Sequence, residues 1–334
     1  MAQTLISADD SRLVYCGRID HSNPKAPRFD WPGISIHFQV QGPSFTALLE
    51  DAGNNWDVQV DGKAVTVWVT SRNRQEYSWE GLTEGPHQVR LVKRTEAMFG
   101  PVLFKGLSLA KGVSLLAASE LPKRKIEVVG DSIVCGYGVE SNKVQCDSLR
   151  PYENADKAFG ALTAHDLKAQ YHLVAYSGKG VVRNWGDKNR RSPDPFPPLY
   201  DRVLYKDPPS RWDFTQWTPD AVVVHLGSND FSTEPQADPK DYVDHYVALL
   251  KTIRGHYPKV ALFCFCPEGW PNFSTHVVEV AKAMNDAGDA RVYAVTYPNT
   301  LPDDLGCDGH PNATAQRKIA DALVPVLKEK MGWK

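Results

Sequence analysis

The sequence contains no run of about 18 consecutive apolar residues, so it predicts no helix that spans a membrane. It also lacks an excess of charge of one sign, because 38 lysines and arginines stand against 40 aspartates and glutamates. This balance excludes charge-driven binding of nucleic acid or of an anionic membrane surface. Residues 1–5 lack a basic segment followed by an apolar core, so no signal peptide is visible. The sequence is therefore compatible with a cytoplasmic location, and also with a secreted or periplasmic one if a signal peptide has been removed.

Cysteine is sparse as well, since six cysteines are too few for a scaffold built on disulfides. The chain has neither a pair of CxxC motifs nor an HExxH motif, so we expect no zinc site and no other cofactor. Cys264 and Cys266 lie in an apolar stretch and are predicted core residues. Cys135 and Cys146 flank a short loop. The sequence is compatible with a disulfide between them and equally with two free thiols.

The N-terminal third is typical of an all-β domain. Apolar and polar residues alternate over residues 34–41, and Asp61-Gly62 between two alternating runs predicts a hairpin. Short strands separated by glycine and proline indicate a jelly-roll-like β-sandwich, which we place at residues 1–115. Trp56 and Trp68 lie at alternating strand positions and are predicted core residues.

A polar, proline-containing linker at residues 116–124 separates this domain from a segment of different character. From residue 125 to residue 334, strand-like runs alternate with helix-like segments. The strand-like runs lie at residues 126–129, 172–176, 221–226, 261–265 and 292–295. The alternation predicts an α/β domain with a parallel sheet and helices on both of its faces.

Three of the predicted strands end in small or polar residues: Gly130-Asp131-Ser132, Ser177-Gly178-Lys179-Gly180 and Gly227-Ser228-Asn229-Asp230. The carboxyl ends of parallel strands meet at one edge of a sheet, where ligands bind in such folds. Ester hydrolysis passes through a tetrahedral oxyanion that needs preorganised donors. The Ser132 and Gly178 N–H groups and the Asn229 side chain are candidate donors.

His310, just before the last predicted helix, is a candidate base for a Ser132 nucleophile. Each block also has a plainer interpretation, because Gly130-Asp131-Ser132 suits an ordinary turn and His310 is one of ten histidines. The joint occurrence of four blocks at one sheet edge favours the catalytic interpretation over chance.

These blocks resemble those of the SGNH (GDSL-type) hydrolase superfamily, and the resemblance is closer still to carbohydrate esterase family 2. It rests on Gly130-Asp131-Ser132, Gly178, Gly227-x-Asn229-Asp230 and Asp308-x-His310-Pro311, and it covers nearly the whole chain. It implies a β-sandwich ahead of an SGNH domain, and removal of acetyl groups from plant cell-wall polysaccharides, often at the 6-position. It further implies Ser132 as nucleophile, His310 as base, and Ser132, Gly178 and Asn229 as the oxyanion hole.

One departure from the superfamily pattern concerns the group that orients His310. The pattern has aspartate three residues before the histidine, whereas this chain has Cys307 there and Asp308 one residue later. Two alternatives remain for the group that orients His310. Asp308 could complete a catalytic triad, or a backbone carbonyl could orient the histidine of a Ser–His dyad. Trp185 lies shortly after the second block, and Trp270 follows Pro267-Glu268-Gly269 at the end of another predicted strand. Both are candidate platforms for a sugar ring.

Three functions are compatible with this pattern. The first is a carbohydrate acetylesterase without a metal or organic cofactor, whose partner is an acetylated carbohydrate. The second is a lipase or thioesterase on the same scaffold, which would need an apolar groove. The third is a carbohydrate-binding protein whose catalytic site is vestigial.

Overall fold

The computed structural model describes residues 3–334, which form two compact units. The first contains the residues up to Leu121 together with Arg202–Trp212, and the second contains Pro122–Asp201 and Asp213–Lys334. The division falls inside the predicted linker at residues 116–124. The inclusion of Arg202–Trp212 in the first unit has no counterpart in the sequence pattern.

The first unit consists of antiparallel strands in two sheets. In chain order the strands are β1 (Thr4–Ile6), β2 (Val14–Cys16), β3 (Arg28–Phe29), β4 (Ser35–Gln41), β5 (Ser44–Asp51), β6 (Asn55–Val60), β7 (Lys63–Val69), β8 (Glu76–Glu80), β9 (Pro86–Lys93), β10 (Val102–Leu109) and β11 (Ser114–Leu115). One sheet has the order β1-β10-β5-β8 with β3 beside β10, and the other has the order β11-β4-β9-β6-β7 with β2 beside β4. The predicted β-sandwich is thereby confirmed.

The predicted hairpin at Asp61-Gly62 joins β6 to β7. Both residues have positive φ angles, 50° and 77°, as the tight turn between twisted strands requires. Trp56 and Trp68 face each other across these strands and are 0 % and 6 % exposed. Both tryptophans are therefore core residues, as predicted, and neither forms a surface platform for sugar.

The second unit is built on a parallel sheet whose strand order is β13-β12-β14-β15-β16. Its strands are β12 (Arg124–Gly130), β13 (Ala169–Ala175), β14 (Ala221–His225), β15 (Ala261–Pro267) and β16 (Val292–Tyr297). Gly130 pairs with Ala175 on one side and with His225 on the other. The three segments that follow these residues therefore begin at one edge of the sheet, as predicted.

Helices connect and cover the strands: α1 (Ser132–Cys135), α2 (Phe159–Asp166), α3 (Ser228–Phe231), α4 (Pro239–His256), α5 (Pro271–Asp286) and α6 (Ala313–Met331). The α2 and α6 helices share one apolar core with the sheet, which includes Phe159, Ile319 and Leu323. The Asn312 side chain caps α6 by accepting the N–H groups of Thr314 and Ala315. Within residues 3–334, no helix is both long enough and apolar enough to cross a membrane.

Candidate active site

The turn from β12 into α1 presents Ser132 at the edge of the sheet. A side chain on Gly130 would overlap Val134 and lie 2.9 Å from the His225 carbonyl oxygen, so this tight turn requires glycine. The Asp131 carboxylate caps α1 by accepting the Ile133 N–H at 3.1 Å. It also accepts the hydroxyl of Ser228, which ties the first block to the third.

His310 lies beside this serine in the geometry of a general base. The Nε2 atom of His310 is 2.8 Å from Oγ of Ser132, although 178 residues separate them. The Nδ1 atom lies 3.1 Å from the carbonyl oxygen of Cys307. Because a carbonyl only accepts hydrogen bonds, this contact assigns the proton to Nδ1 and leaves Nε2 free to take the serine proton.

The Asp308 carboxylate is engaged by Tyr137. Its Oδ2 atom accepts a hydrogen bond from the Tyr137 hydroxyl at 2.6 Å. The Tyr137 ring in turn stacks on His310, with the ring centroids 4.1 Å apart and the planes inclined by 27°. Of the two alternatives for orienting His310, the hydrogen-bond geometry thus favours the Cys307 carbonyl over the Asp308 carboxylate.

Burial of the imidazole lowers the pKa of His310 below its ordinary value of 6.5, despite the opposing effect of the Cys307 carbonyl. A base works only in its neutral form, so kcat/KM should fall as pH drops through this pKa. We therefore expect the acid limb of the pH profile on a neutral ester to have its midpoint below pH 6.5. A midpoint above that value, measured in initial rates from pH 4 to 9, would contradict the assignment of His310 as the buried base.

The second and third blocks place Gly178 and Asn229, which the sequence predicts as oxyanion donors, at the cavity that Ser132 lines. Gly178 has a φ of 78°, a left-handed conformation that glycine adopts without strain. The side-chain amide of Asn229 donates to the Lys179 carbonyl oxygen at 2.9 Å, which joins the two blocks and fixes the amide. Ser132, Gly178, Asn229 and His310 all line one cavity of about 370 Å³. The four predicted reacting residues are thus brought together.

Asp230 organises the segment that carries Gly178, a role the sequence did not indicate. Its buried carboxylate accepts three consecutive backbone N–H groups, from Val181, Val182 and Arg183, at 2.8 to 2.9 Å. A side chain on Gly180 would lie 2.6 Å from this carboxylate, so the loop closes tightly around it. Burial raises the pKa of Asp230 to about 6.

The remaining lining of the cavity comes from Tyr137, Ser177, Trp185 and Asp308. Trp185 is 65 % exposed, so its ring is available at the mouth of the cavity. Trp270 is not among the lining residues; it precedes α5 and packs edge-on against Phe273 with the centroids 5.8 Å apart. Substrate contact by either tryptophan stays a prediction. Tyr137 was missed because an aromatic residue seven positions after a strand has no distinctive spacing.

The structure contains a disulfide, but it does not join Cys135 to Cys146. Cys146 forms a disulfide with Cys307, across a sequence separation of 161 residues, and Cys135 is a buried thiol at the end of α1. Neither of the two alternatives left open by the sequence, a Cys135–Cys146 bond or two thiols, is therefore what the structure contains. The reason is topological, since α1 directs Cys135 into the core while the loop after it turns toward the segment that precedes His310.

Two family models match the chain, one for each part of the sequence. The model described as carbohydrate esterase 2 N-terminal matches residues 15–118. The model described as GDSL-like lipase/acylhydrolase family matches residues 128–318. Together they follow the order in which the two domains occur.

Curated relatives align along nearly the whole chain. The cellulase/esterase CelE of Acetivibrio thermocellus is 34 % identical, over 97 % of this chain and 40 % of CelE, so the chain spans less than half of that relative. An acetylxylan esterase / glucomannan deacetylase of Cellvibrio japonicus is 31 % identical, over 99 % of this chain and 96 % of the relative.

Solved structures of similar proteins have the same fold throughout. A family two carbohydrate esterase from Clostridium thermocellum, in complex with cellohexaose, is 33 % identical, with a TM-score of 0.88 over 96 % of this chain and all of that one. A family two carbohydrate esterase from Cellvibrio japonicus is 26 % identical, with a TM-score of 0.90 over 99 % of each chain. The chain therefore belongs to the GDSL-like lipase/acylhydrolase family and, within it, to carbohydrate esterase family 2.

Proposed function

We propose that this protein is a serine esterase that removes O-acetyl groups from plant cell-wall polysaccharides such as xylan or glucomannan. The observation that carries the proposal is the 2.8 Å contact between Oγ of Ser132 and Nε2 of His310. This pair lies in the same cavity as Gly178 and Asn229. Relatives named acetylxylan esterase / glucomannan deacetylase support the choice of substrate.

The first half of the reaction transfers the acetyl group to the enzyme. Oγ of Ser132 attacks the acetyl carbonyl carbon as its proton moves to Nε2 of His310. The negative charge on the former carbonyl oxygen is stabilised by the N–H groups of Ser132 and Gly178 and by the Asn229 amide. Collapse of this intermediate breaks the bond to the sugar oxygen, which takes the proton from His310 and leaves as a hydroxyl.

The second half regenerates the free serine. Water gives a proton to His310 and attacks the acetyl-Ser132 carbonyl carbon, which forms a second tetrahedral intermediate at the same donors. Its collapse returns the proton to Oγ of Ser132 and releases acetic acid. The Cys307 carbonyl holds Nδ1–H throughout, so the imidazole keeps one orientation in both halves.

A lipase or thioesterase and a non-catalytic binding protein are less well supported. The polar pair of Asp308 and the Tyr137 hydroxyl lies in the cavity wall, which suits a hydroxylated ligand better than a long acyl chain. The Ser132–His310 contact is complete, which argues against a vestigial site.

Acyl-chain preference separates these functions. We expect the enzyme to release acetate from acetylated xylan or glucomannan and to prefer acetyl over octanoyl nitrophenyl esters by about 100-fold or more in kcat/KM. Released acetate is quantified by chromatography, with Ser132→Ala as the blank. Equal or faster turnover of the octanoyl ester would favour the lipase alternative. Binding of the polysaccharide without any release of acetate would favour the binding alternative.

We also propose that the protein acts in an oxidising compartment, as a secreted or periplasmic enzyme. The Cys146–Cys307 disulfide supports this location, because such bonds persist there and are rare in the cytosol. Polysaccharides of the plant cell wall are likewise found outside the cell that degrades them.

A further inference from the structure

The segment that carries the orienting carbonyl is a short turn, residues 306–310, packed backbone to backbone against the loop that follows α1. A side chain on Gly138 would lie 2.7 Å from the Cys307 backbone nitrogen, so no side chain fits between the two segments there. A side chain on Gly306 would overlap the Gly138 carbonyl oxygen. We call residues 306–310 the histidine turn and residues 136–146 the facing loop.

One disulfide and two hydrogen bonds also link the histidine turn to the facing loop, at two adjacent residues of the turn. The disulfide links Cys307 to Cys146, at the far end of the facing loop. The Asp308 backbone N–H donates to the Val144 carbonyl oxygen at 2.7 Å, and its carboxylate accepts the Tyr137 hydroxyl at 2.6 Å. A covalent bond, a backbone hydrogen bond and a side-chain hydrogen bond therefore converge on two neighbouring residues.

These contacts stabilise the histidine turn, whose backbone conformation at Asp308 is unfavourable. Asp308 has a φ of 53°, in the left-handed region that residues other than glycine adopt at a cost. The Cys307 carbonyl oxygen accepts both the backbone N–H of His310, at 3.0 Å, and its Nδ1–H, at 3.1 Å. Relaxation at Asp308 would rotate this carbonyl and weaken its hydrogen bond with Nδ1 of His310.

We propose that the Cys146–Cys307 disulfide is a positioning device for catalysis, which holds the Cys307 carbonyl against Nδ1 of His310. The residue three before the histidine, where the superfamily pattern has aspartate, is here one end of this disulfide. By fixing the backbone at Cys307, the disulfide lets the Cys307 carbonyl orient the imidazole, as a carboxylate does in a catalytic triad. The inference rests on the proposed esterase function.

A matched set of proteins tests this role: the oxidised wild type, the wild type reduced by a dithiol, and Cys146→Ser. Reduction passes two electrons and two protons to the disulfide, which yields two thiols on the protein while the dithiol becomes a cyclic disulfide. Cys146 is half-buried and open to this exchange, whereas Cys307 is buried. The dithiol should have no further effect on Cys146→Ser, which controls for action elsewhere.

We expect kcat on an acetyl ester to fall about 10- to 100-fold on reduction and in Cys146→Ser, because a loosened base spends less time at Ser132. KM should change less than about threefold, and reoxidation should restore kcat. The Nδ1–H proton resonance of His310 should broaden on reduction. A disulfide that only stabilises the fold would lower the melting temperature and leave kcat unchanged at temperatures well below it.

The possible outcomes distinguish the positioning role of the disulfide from the esterase function that we propose. Oxidised enzyme without acetylesterase activity would overturn both. Active oxidised enzyme whose kcat survives reduction would overturn the positioning role alone. If Cys146→Ser does not fold, Tyr137→Phe removes a second tie to the same turn while keeping the ring. We then expect a several-fold fall in kcat at constant KM, as for any loss of support to this turn. The reduced wild type still decides the role of the disulfide, and an unchanged kcat on reduction would contradict the proposal.

Discussion

Replacement of Ser132 by alanine is expected to lower kcat for the release of acetate by about 10⁴-fold or more. Oγ of Ser132 is the atom that the 2.8 Å contact with Nε2 of His310 prepares for attack, and no acyl-enzyme forms without it. The side chain is nearly buried, and its loss removes one small polar atom, so the fold should persist. The measurement is kcat on an acetylated polysaccharide, with circular dichroism to verify folding.

His310→Ala should lower kcat to a similar extent, and the double variant should be no worse than either single one, because serine and base act as a unit. Ser71→Ala, which changes an exposed serine of the first unit, should behave as the wild type. Additive losses in the double variant would mean that the two residues act independently. Activity of Ser132→Ala within about tenfold of the wild type would rule out Ser132 as the nucleophile.

Replacement of Asn229 by alanine has the next largest expected effect, a fall in kcat of about 10²- to 10³-fold. Its amide lines the cavity and is fixed by the Lys179 carbonyl oxygen at 2.9 Å. The amide is thus already in place when charge develops on the substrate oxygen. Since that charge is absent from the ground state, KM should change much less than kcat.

Asn23→Ala, at an exposed position of the first unit, is the matched control for loss of an asparagine side chain. Separate determination of kcat and KM distinguishes the oxyanion role from simple substrate binding. A rise in KM with unchanged kcat would place Asn229 among binding residues and leave the oxyanion to Ser132 and Gly178 alone.

Much of this arrangement follows from local patterns. Alternation and the Asp61-Gly62 turn predict the β-sandwich, and the strand-helix alternation after residue 124 predicts the parallel sheet. Because parallel strands end at a common edge, the positions of Ser132, Gly178 and Asn229 beyond three strands suffice to predict that they meet. These features depend on period and order, which a single sequence displays.

Features that depend on long-range packing could not be predicted in this way. The bond between Cys146 and Cys307 joins loops far apart in the chain, and nothing local at either cysteine identifies its partner. The stacking of Tyr137 on His310 depends on how the facing loop folds back. The three backbone hydrogen bonds to Asp230 likewise appear only when the second and third blocks are placed together.

A fluorophosphonate, which traps activated serines, can show whether Ser132, activated by His310, is the nucleophile of an acetylesterase. Peptide mass spectrometry then locates the adduct. We expect one adduct per chain, on Ser132, with loss of acetylesterase activity in proportion to labelling and with protection by an acetylated oligosaccharide. An adduct on another residue, or full activity after complete labelling of Ser132, would contradict this assignment.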